Sequence, residues 1–116
     1  MTTPKAAQFS PSIISDTLIG GSGTISGGFG ADAINGGTGD DILNGNGGRD
    51  IISGGLGEDT LNGDEGDDDL FGENGNDTLE GGLGIDILIG AIGVDTFIAL
   101  NDEDESDFDP DQDILA

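Results

Sequence analysis

The amino-acid sequence predicts an all-β fold: a parallel β-roll, or two-sided right-handed β-solenoid, with an acidic C-terminal cap. The first observation behind this is a nine-residue pattern, G-x-x-G-x-D-x-U-x with U a large apolar residue, that runs unbroken eight times from Gly27 to Ile98. The second is that each unit fixes a single large apolar position, which suits short strands stacked coil upon coil. The third is composition. Of 116 residues, 33% are hydrophobic and none is Trp, Tyr or Cys, so an ordinary globular core is hard to build.

Three zones follow one another along the chain. Residues 1–19 form a lead that ends in Asp16-Thr17-Leu18-Ile19, the second half of one unit. Residues 20–98 form the roll, with the regular repeats at 27–98. Its first piece, Gly20 to Ser26, fits the pattern if the fifth and sixth positions, including the aspartate, are deleted. Residues 99–116 are an acidic tail of different composition, read as the cap.

Within the unit each residue type has a physical reason. Positions one and four are glycine in all eight units, a spacing that predicts φ above zero at both, where a side chain would clash. Position eight is Ile34, Leu43, Ile52, Leu61, Leu70, Leu79, Leu88 and Phe97. This anchor sits at the centre of a strand of three residues whose neighbours turn outward by period-two alternation. Position six is always aspartate: Asp32, Asp41, Asp50, Asp59, Asp68, Asp77, Asp86 and Asp95.

Two units, 18 residues, complete one coil with a strand on each side. Asp32, Asp50, Asp68 and Asp86 then line one edge, and Asp41, Asp59, Asp77 and Asp95 the other. Successive carboxylates stack at a strand spacing of about 4.8 Å, where two like charges repel by roughly 1 kcal/mol in water and several times more at a protein-like dielectric. The whole chain shares this character, with Lys5 and Arg49 the only basic side chains against 25 acids and a net charge of −23. Such a charge excludes nucleic acid and anionic lipid as partners, because both require a cationic surface. A cation is the natural counterpart. Without Cys or His, thiolate and imidazole sites are excluded, and the hard oxygen ligands that remain suit calcium or magnesium. Calcium between successive loops of an edge reverses the sign of the ladder energy, with backbone carbonyls of the turns completing its roughly six to eight oxygen ligands.

The pattern resembles the hemolysin-type, or RTX, calcium-binding nonapeptide G-G-x-G-x-D-x-U-x, in full register over 72 of the 116 residues. The resemblance implies a calcium-binding module whose side-chain ligands are the position-six aspartates, here the eight just named, with carbonyls from neighbouring loops. Four loops per edge leave three gaps on each, so about six Ca2+ ions are expected, and the end loops offer half-sites. It further implies an extracellular, secreted protein that condenses on meeting calcium. The terminal Asp113-Ile114-Leu115-Ala116 resembles the uncleaved type I secretion terminus of serralysin-like RTX proteins, whereas the first ten residues lack the apolar run of a Sec signal.

Position two departs from the family pattern at Asn46, Asp64, Glu73 and Ala91, and only Asn and Asp tolerate a left-handed backbone well. The last two units carry Ile85, Ile87, Ile89, Ile92, Val94 and Ile98 outside the anchor position, so that end is expected to be covered, by the tail or by a partner surface such as a homodimer. Asp107-Phe108-Asp109-Pro110 with Asp113-Ile114-Leu115 resembles the closing element after RTX arrays, which favours the tail. Asp102, Asp104, Ser106 and Asp113 fall at positions 1, 3, 5 and 12 of an EF-hand-like loop, but Asp107 stands where that loop needs glycine. No segment approaches the roughly 20 apolar residues of a membrane helix. Ser22 and Ser53 lack a base to make them nucleophiles, and paired carboxylates are explained by the repeat, so no enzyme activity is expected. Two other readings stand beside this one. One is a calcium-stiffened adhesion or recognition module, for which Thr60, Thr78 and Thr96 at position seven supply one outward row. The other is a fragment of a larger RTX enzyme or toxin, against which the initial Met and short lead speak for a small complete product.

Overall fold

In the computed structural model the described residues are 7–9, 17–20, 23–98, 103–109 and 112–116, and among them the chain forms only strands and turns. The strands are β1 (Ala7–Phe9), β2 (Thr17–Ile19), β3 (Gly23–Gly28), β4 (Ala33–Thr38), β5 (Asp41–Gly47), β6 (Ile51–Leu56), β7 (Thr60–Glu65), β8 (Asp69–Asn74), β9 (Thr78–Leu83), β10 (Ile87–Ile92), β11 (Thr96–Ile98), β12 (Glu105–Ser106) and β13 (Ile114–Leu115). They make two parallel sheets, ordered β1-β3-β5-β7-β9-β11-β13 and β12-β10-β8-β6-β4-β2. The expected parallel β-roll is what forms. Leu43 lies beside Leu61, Leu61 beside Leu79 and Ile52 beside Leu70, a register of two units per coil.

Alternation fixes which residues face inward. Position eight is buried in every unit, and Ile25 joins it from the shortened unit, so Ile25, Ile34, Leu43, Ile52, Leu61, Leu70, Leu79, Leu88 and Phe97 form one column of core. By the same period of two, position six and the position-one glycine two residues after the anchor also point inward, while positions seven and nine point out. Each coil therefore holds two apolar side chains and two aspartates. Burying one Leu or Ile stabilises by roughly 1.5–3 kcal/mol, while a buried, incompletely paired carboxylate costs several. The apolar gain and the carboxylate cost of a coil are thus of the same order.

Strands β3 to β10 are longer than the three residues expected, at six or seven. β6 begins at position seven, passes Ile52 and continues to position three of the next unit, because the turns stack on one another as closely as the strands do. Their backbones are bonded coil to coil: the Gly48 N–H donates to the Glu65 carbonyl at 3.0 Å and the Gly66 N–H to the Leu83 carbonyl at 2.9 Å.

The glycine assignment needs correction at position one. Positive φ occurs at positions two and four, not one: Gly55 has φ 98° and Gly57 φ 121°, whereas Gly54 has no positive φ. Position four is glycine because a side chain there would strike the carbonyl of the position-four residue one coil earlier, as Gly66 would strike Gly48. Position one is glycine for a different reason, taken up below. The non-glycine residues at position two, Asn46, Asp64, Glu73 and Ala91, adopt the same left-handed backbone at φ 74–76°.

At the N-terminal end the shortened unit continues the roll as expected. Gly23 stands beside Asp41 in register, in the place of the deleted aspartate. β1 adds one more strand beside β3, which the sequence of the lead did not foretell. Asp16 and Ser22 lie outside the described residues. At the other end β12 pairs with β10 and β13 with β11 in the register of the repeats. Phe108 packs on the core, its ring edge-on to Phe97 with centroids 5.7 Å apart and planes at 85°. The tail thus covers the last core residue. Ile87, Ile89 and Ile98 are half-buried, while Leu83, Ile85, Ile92 and Val94 remain exposed at the turn tips. Among the described residues no helix is long and apolar enough to cross a membrane.

Candidate metal centre

The eight position-six aspartates are all buried, none more than 3% exposed. Strand pairing puts each one a coil above the next, and a hydrogen bond ties each pair. The Asp32 N–H donates to Asp50 Oδ1 at 2.8 Å, Asp50 to Asp68 at 2.7 Å and Asp68 to Asp86 at 2.9 Å. On the other edge the Asp41 N–H donates to Asp59 Oδ1 at 2.7 Å, Asp59 to Asp77 at 2.8 Å and Asp77 to Asp95 at 2.9 Å. Even Gly23, which has no carboxylate, donates its N–H to Asp41 Oδ1 at 2.7 Å.

In six of these carboxylates one oxygen is therefore spoken for, and the other is not. The Oδ2 atoms of Asp41, Asp50, Asp59, Asp68, Asp77 and Asp86 are buried with no hydrogen-bond partner. A buried acceptor left in this state costs roughly 1–3 kcal/mol, and more when it carries charge. Here lies the reason for glycine at position one. A methyl group on Gly54 would sit 2.6 Å from Asp59 Oδ2 and 2.9 Å from the Gly72 carbonyl oxygen; one on Gly36 would sit 2.8 Å from Asp41 Oδ2 and 2.7 Å from the Gly54 carbonyl. The carboxylate folds back over its own turn, and the next coil's carbonyl aims at the same spot. Gly45 and Gly63 repeat the arrangement with Asp50 and Gly63 and with Asp68 and Gly81. Two acceptors converge between coils with no donor to join them.

The electrostatics agree. Burial is the largest cause that raises these pKa values, opposed by the backbone hydrogen bond and reinforced by the neighbouring carboxylates. Asp50 and Asp77 are pushed from 3.8 to about 6, and Asp59 and Asp68 to about 7. Asp41, Asp86 and Asp95 move in the same direction for the same first reason. Carboxylates near neutrality in this way favour either a proton or a cation. The donor set is oxygen only, carboxylate and carbonyl, which fits a hard divalent ion such as calcium. No three acidic side chains converge on one point among the described residues, so an ion held between coils would have to draw most of its ligands from carbonyls.

The EF-hand-like spacing does not survive. Asp104 pairs with the Asp86 edge and Asp113 with the Asp95 edge, so those two carboxylates sit on opposite sides of the roll, and Asp102 lies outside the described residues. Thr60, Thr78 and Thr96 do form one outward column. Sequence reasoning missed that Asp104 and Asp113 extend the ladders, although each stands 18 residues after the last aspartate of its edge.

The sequence pattern of the RTX calcium-binding nonapeptide repeat, in four copies, matches residues 15–43, 26–61, 44–79, 71–106 and 80–115. The chain belongs to the RTX calcium-binding repeat family. Its RTX repeats bind calcium ions, and the β-roll they build is a structural calcium-binding module. No curated protein and no solved structure matches the chain.

Proposed function

We propose that this RTX protein is a secreted structural module that folds when it binds calcium, with the eight position-six aspartates as its side-chain ligands and about six ions between successive coils. The observation that carries the reading is the row of buried Oδ2 atoms without hydrogen-bond partners, of which those of Asp41, Asp50, Asp59 and Asp68 each converge with a carbonyl of the next coil on the space left by a position-one glycine. Calcium supplies the positive charge that two converging acceptors lack. The chain's own residues supply the rest. Asp59 and its counterparts hold one oxygen on the previous coil's amide and present the other; Gly54 and its counterparts leave room for it. Without the ion each coil buries two carboxylates for two apolar side chains, so metal binding becomes most of the folding free energy.

Circular dichroism during a calcium titration tests this. β signal is expected to rise cooperatively from an unfolded or molten baseline, and a full β signal in excess chelator would sink the idea. The charge of −23, which calls for counter-cations, supports an extracellular setting, where calcium is plentiful. A second reading is a calcium-stiffened recognition module: Leu83 and Ile85 at one turn, and Ile92 and Val94 at the turn on the opposite edge, are exposed near the C-terminal end of the roll. A homodimer or protein partner docked at either turn would cover its pair, and sedimentation of the calcium-loaded protein over a concentration series would reveal the homodimer.

A further inference from the structure

A second set of side chains bridges the coils, outside the aspartate ladders. Position five, the residue before each ladder aspartate, has no fixed type in the repeat, and Asp40, Asp67 and Asn76 stand there. Each reaches one coil forward. The Glu58 N–H donates to Asp40 Oδ1 at 2.8 Å, the Ile85 N–H to Asp67 Oδ1 at 3.0 Å and the Val94 N–H to Asn76 Oδ1 at 2.9 Å. The accepting oxygen lies against the position-four glycine of that coil: a methyl on Gly57 or Gly84 would sit 2.9 Å from Asp40 or Asp67 Oδ1, and one on Gly93 would sit 3.0 Å from Asn76 Oδ1. Asn76 makes the same bond as the two aspartates, so the position calls for a short side chain that ends in an acceptor, not for a charge.

Each of these bonds spans one gap of the ladders. Asp40 and Glu58 immediately precede Asp41 and Asp59, Asp67 and Ile85 precede Asp68 and Asp86, and Asn76 and Val94 precede Asp77 and Asp95. The gaps from Asp32 to Asp50, from Asp50 to Asp68 and from Asp59 to Asp77 lie instead behind Ala31, Arg49 and Glu58. Alanine has no acceptor, arginine has donors alone, and glutamate is one methylene longer. Arg49 does reach the next coil at Asp69, but as an exposed ion pair at 4.0 Å, a contact worth little in water. Three gaps are therefore tied by a side chain at the turn, and three are not.

We propose that Asp40, Asp67 and Asn76 are positioning residues that sort the six inter-coil gaps into two classes, three that hold calcium longer because their turns are tied and three that release it sooner. The proposal rests on the calcium reading of these gaps. An ion between coils takes oxygens from both turns, so its hold depends on the two staying in register. A tie made by the chain itself keeps them there before the ion arrives and after it leaves, and an ion entering a tied gap loses less of its binding energy to ordering the turns. The tying side chains need not touch the ion, and the amide of Asn76 serves as well as a carboxylate.

Stopped-flow mixing of the calcium-loaded full chain with a fluorescent chelator tests both levels separately. Release is expected in two phases of equal amplitude, three ions each, with the slow phase slower by about threefold or more, the worth of one net hydrogen bond. Six ions released in a single phase overturns the sorting and leaves the calcium reading intact. Two ions or fewer in total overturns the calcium reading and the proposal with it. Asp67→Ala should move one ion from the slow phase to the fast, while Asp67→Asn, which keeps the accepting oxygen, should leave three in each. An asparagine variant that behaves like the alanine one overturns the proposal, because charge rather than the tie would then be at work. Ala31→Asn places an acceptor behind the gap from Asp32 to Asp50 and should give four slow ions and two fast, a gain that a mere packing role does not produce; an unchanged ratio overturns the proposal even if Asp67→Ala fails to fold. Amide exchange reads the tie itself: the Ile85 N–H should exchange faster by about threefold or more in Asp67→Ala and at its original rate in Asp67→Asn. Equal exchange at Ile85 in all three proteins overturns the tie.

Discussion

Replacing Asp59 by asparagine should change sign between the calcium-free and the calcium-loaded protein. The amide keeps an oxygen for the Asp41 N–H, which donates to Oδ1 at 2.7 Å. Its NH2 stands where Oδ2 stood, close to the Gly72 carbonyl, so a donor meets an acceptor where two acceptors met before. In chelator the charged carboxylate is the expensive state, since burial first, and then Asp77 and Asp41, push the Asp59 pKa from 3.8 to about 7. At about 1.4 kcal/mol per pH unit, the difference is on the order of 4 kcal/mol near pH 8, and asparagine removes that cost. In calcium the same change takes one carboxylate from an ion, and losing an ion present at about 100 times its Kd costs about 2.7 kcal/mol. The assay is two titrations followed by circular dichroism: trimethylamine N-oxide in chelator, which strengthens burial, and calcium without the osmolyte. Asp59→Asn should fold at lower osmolyte than the unaltered protein yet require more calcium. A shift of both midpoints in the same direction, as a packing defect would give, refutes the argument. The advantage in chelator should also vanish near pH 4, where Asp59 is itself protonated.

Acid should replace calcium more generally. The folded-state pKa values of Asp50, Asp59, Asp68 and Asp77 lie above the unfolded value of 3.8, so their contribution to stability is complete below about pH 4 and lost as pH rises through about 6 to 7. In chelator, β signal should therefore appear as pH falls across that window; its absence throughout would contradict the burial of these carboxylates. Gly66→Ala should abolish calcium-induced folding or raise its midpoint at least tenfold, because the new methyl meets the Gly48 carbonyl at φ 133°, whereas Asp64→Asn, which keeps the φ 76° backbone that Asn46 also adopts, should shift it little. Ala91→Gly relieves a left-handed alanine at φ 74° and should stabilise the loaded roll by about 1 kcal/mol in urea melts. Magnesium should fail to induce the transition at equal concentration, since it demands octahedral geometry that a carbonyl-rich gap between coils does not supply.

Much of this fold could be read from the sequence because its period is visible in it. Asp, anchor and glycine recur at fixed spacing, and the alternation that buries Leu61 also buries Asp59 and Gly63. What escaped had no such period or had the right period for a different cause. β1 lies in a lead without repeats, and its pairing with β3 comes from the open edge of the first coil. Glycine at position one looked like a φ requirement, but Gly54 is there for the Asp59 carboxylate, a contact between residues five apart that composition does not reveal. Asp104 and Asp113 were hidden because their turns lack glycine, although the 18-residue step from Asp86 and Asp95 passes straight through them. The Asp109 amide, which donates to Asp113 Oδ2, is a tertiary detail of one turn and leaves no mark in the pattern.

The coil-to-coil register has a consequence for how such a protein changes length. Excising two units from the interior, such as residues 54–71, leaves every remaining residue on its own face. Excising one unit, such as residues 63–71, exchanges the faces beyond the cut, so that Thr78 would come to lie beside Ile51 rather than Thr60. The interior cannot tell the difference, since an aspartate still follows an aspartate and an anchor an anchor. Ion binding is thus blind to whether the unit count is odd or even, while the outward columns of threonine, asparagine and isoleucine are not. An array of this kind can gain or lose single units without losing its metal chemistry and, in the same step, present a rearranged surface.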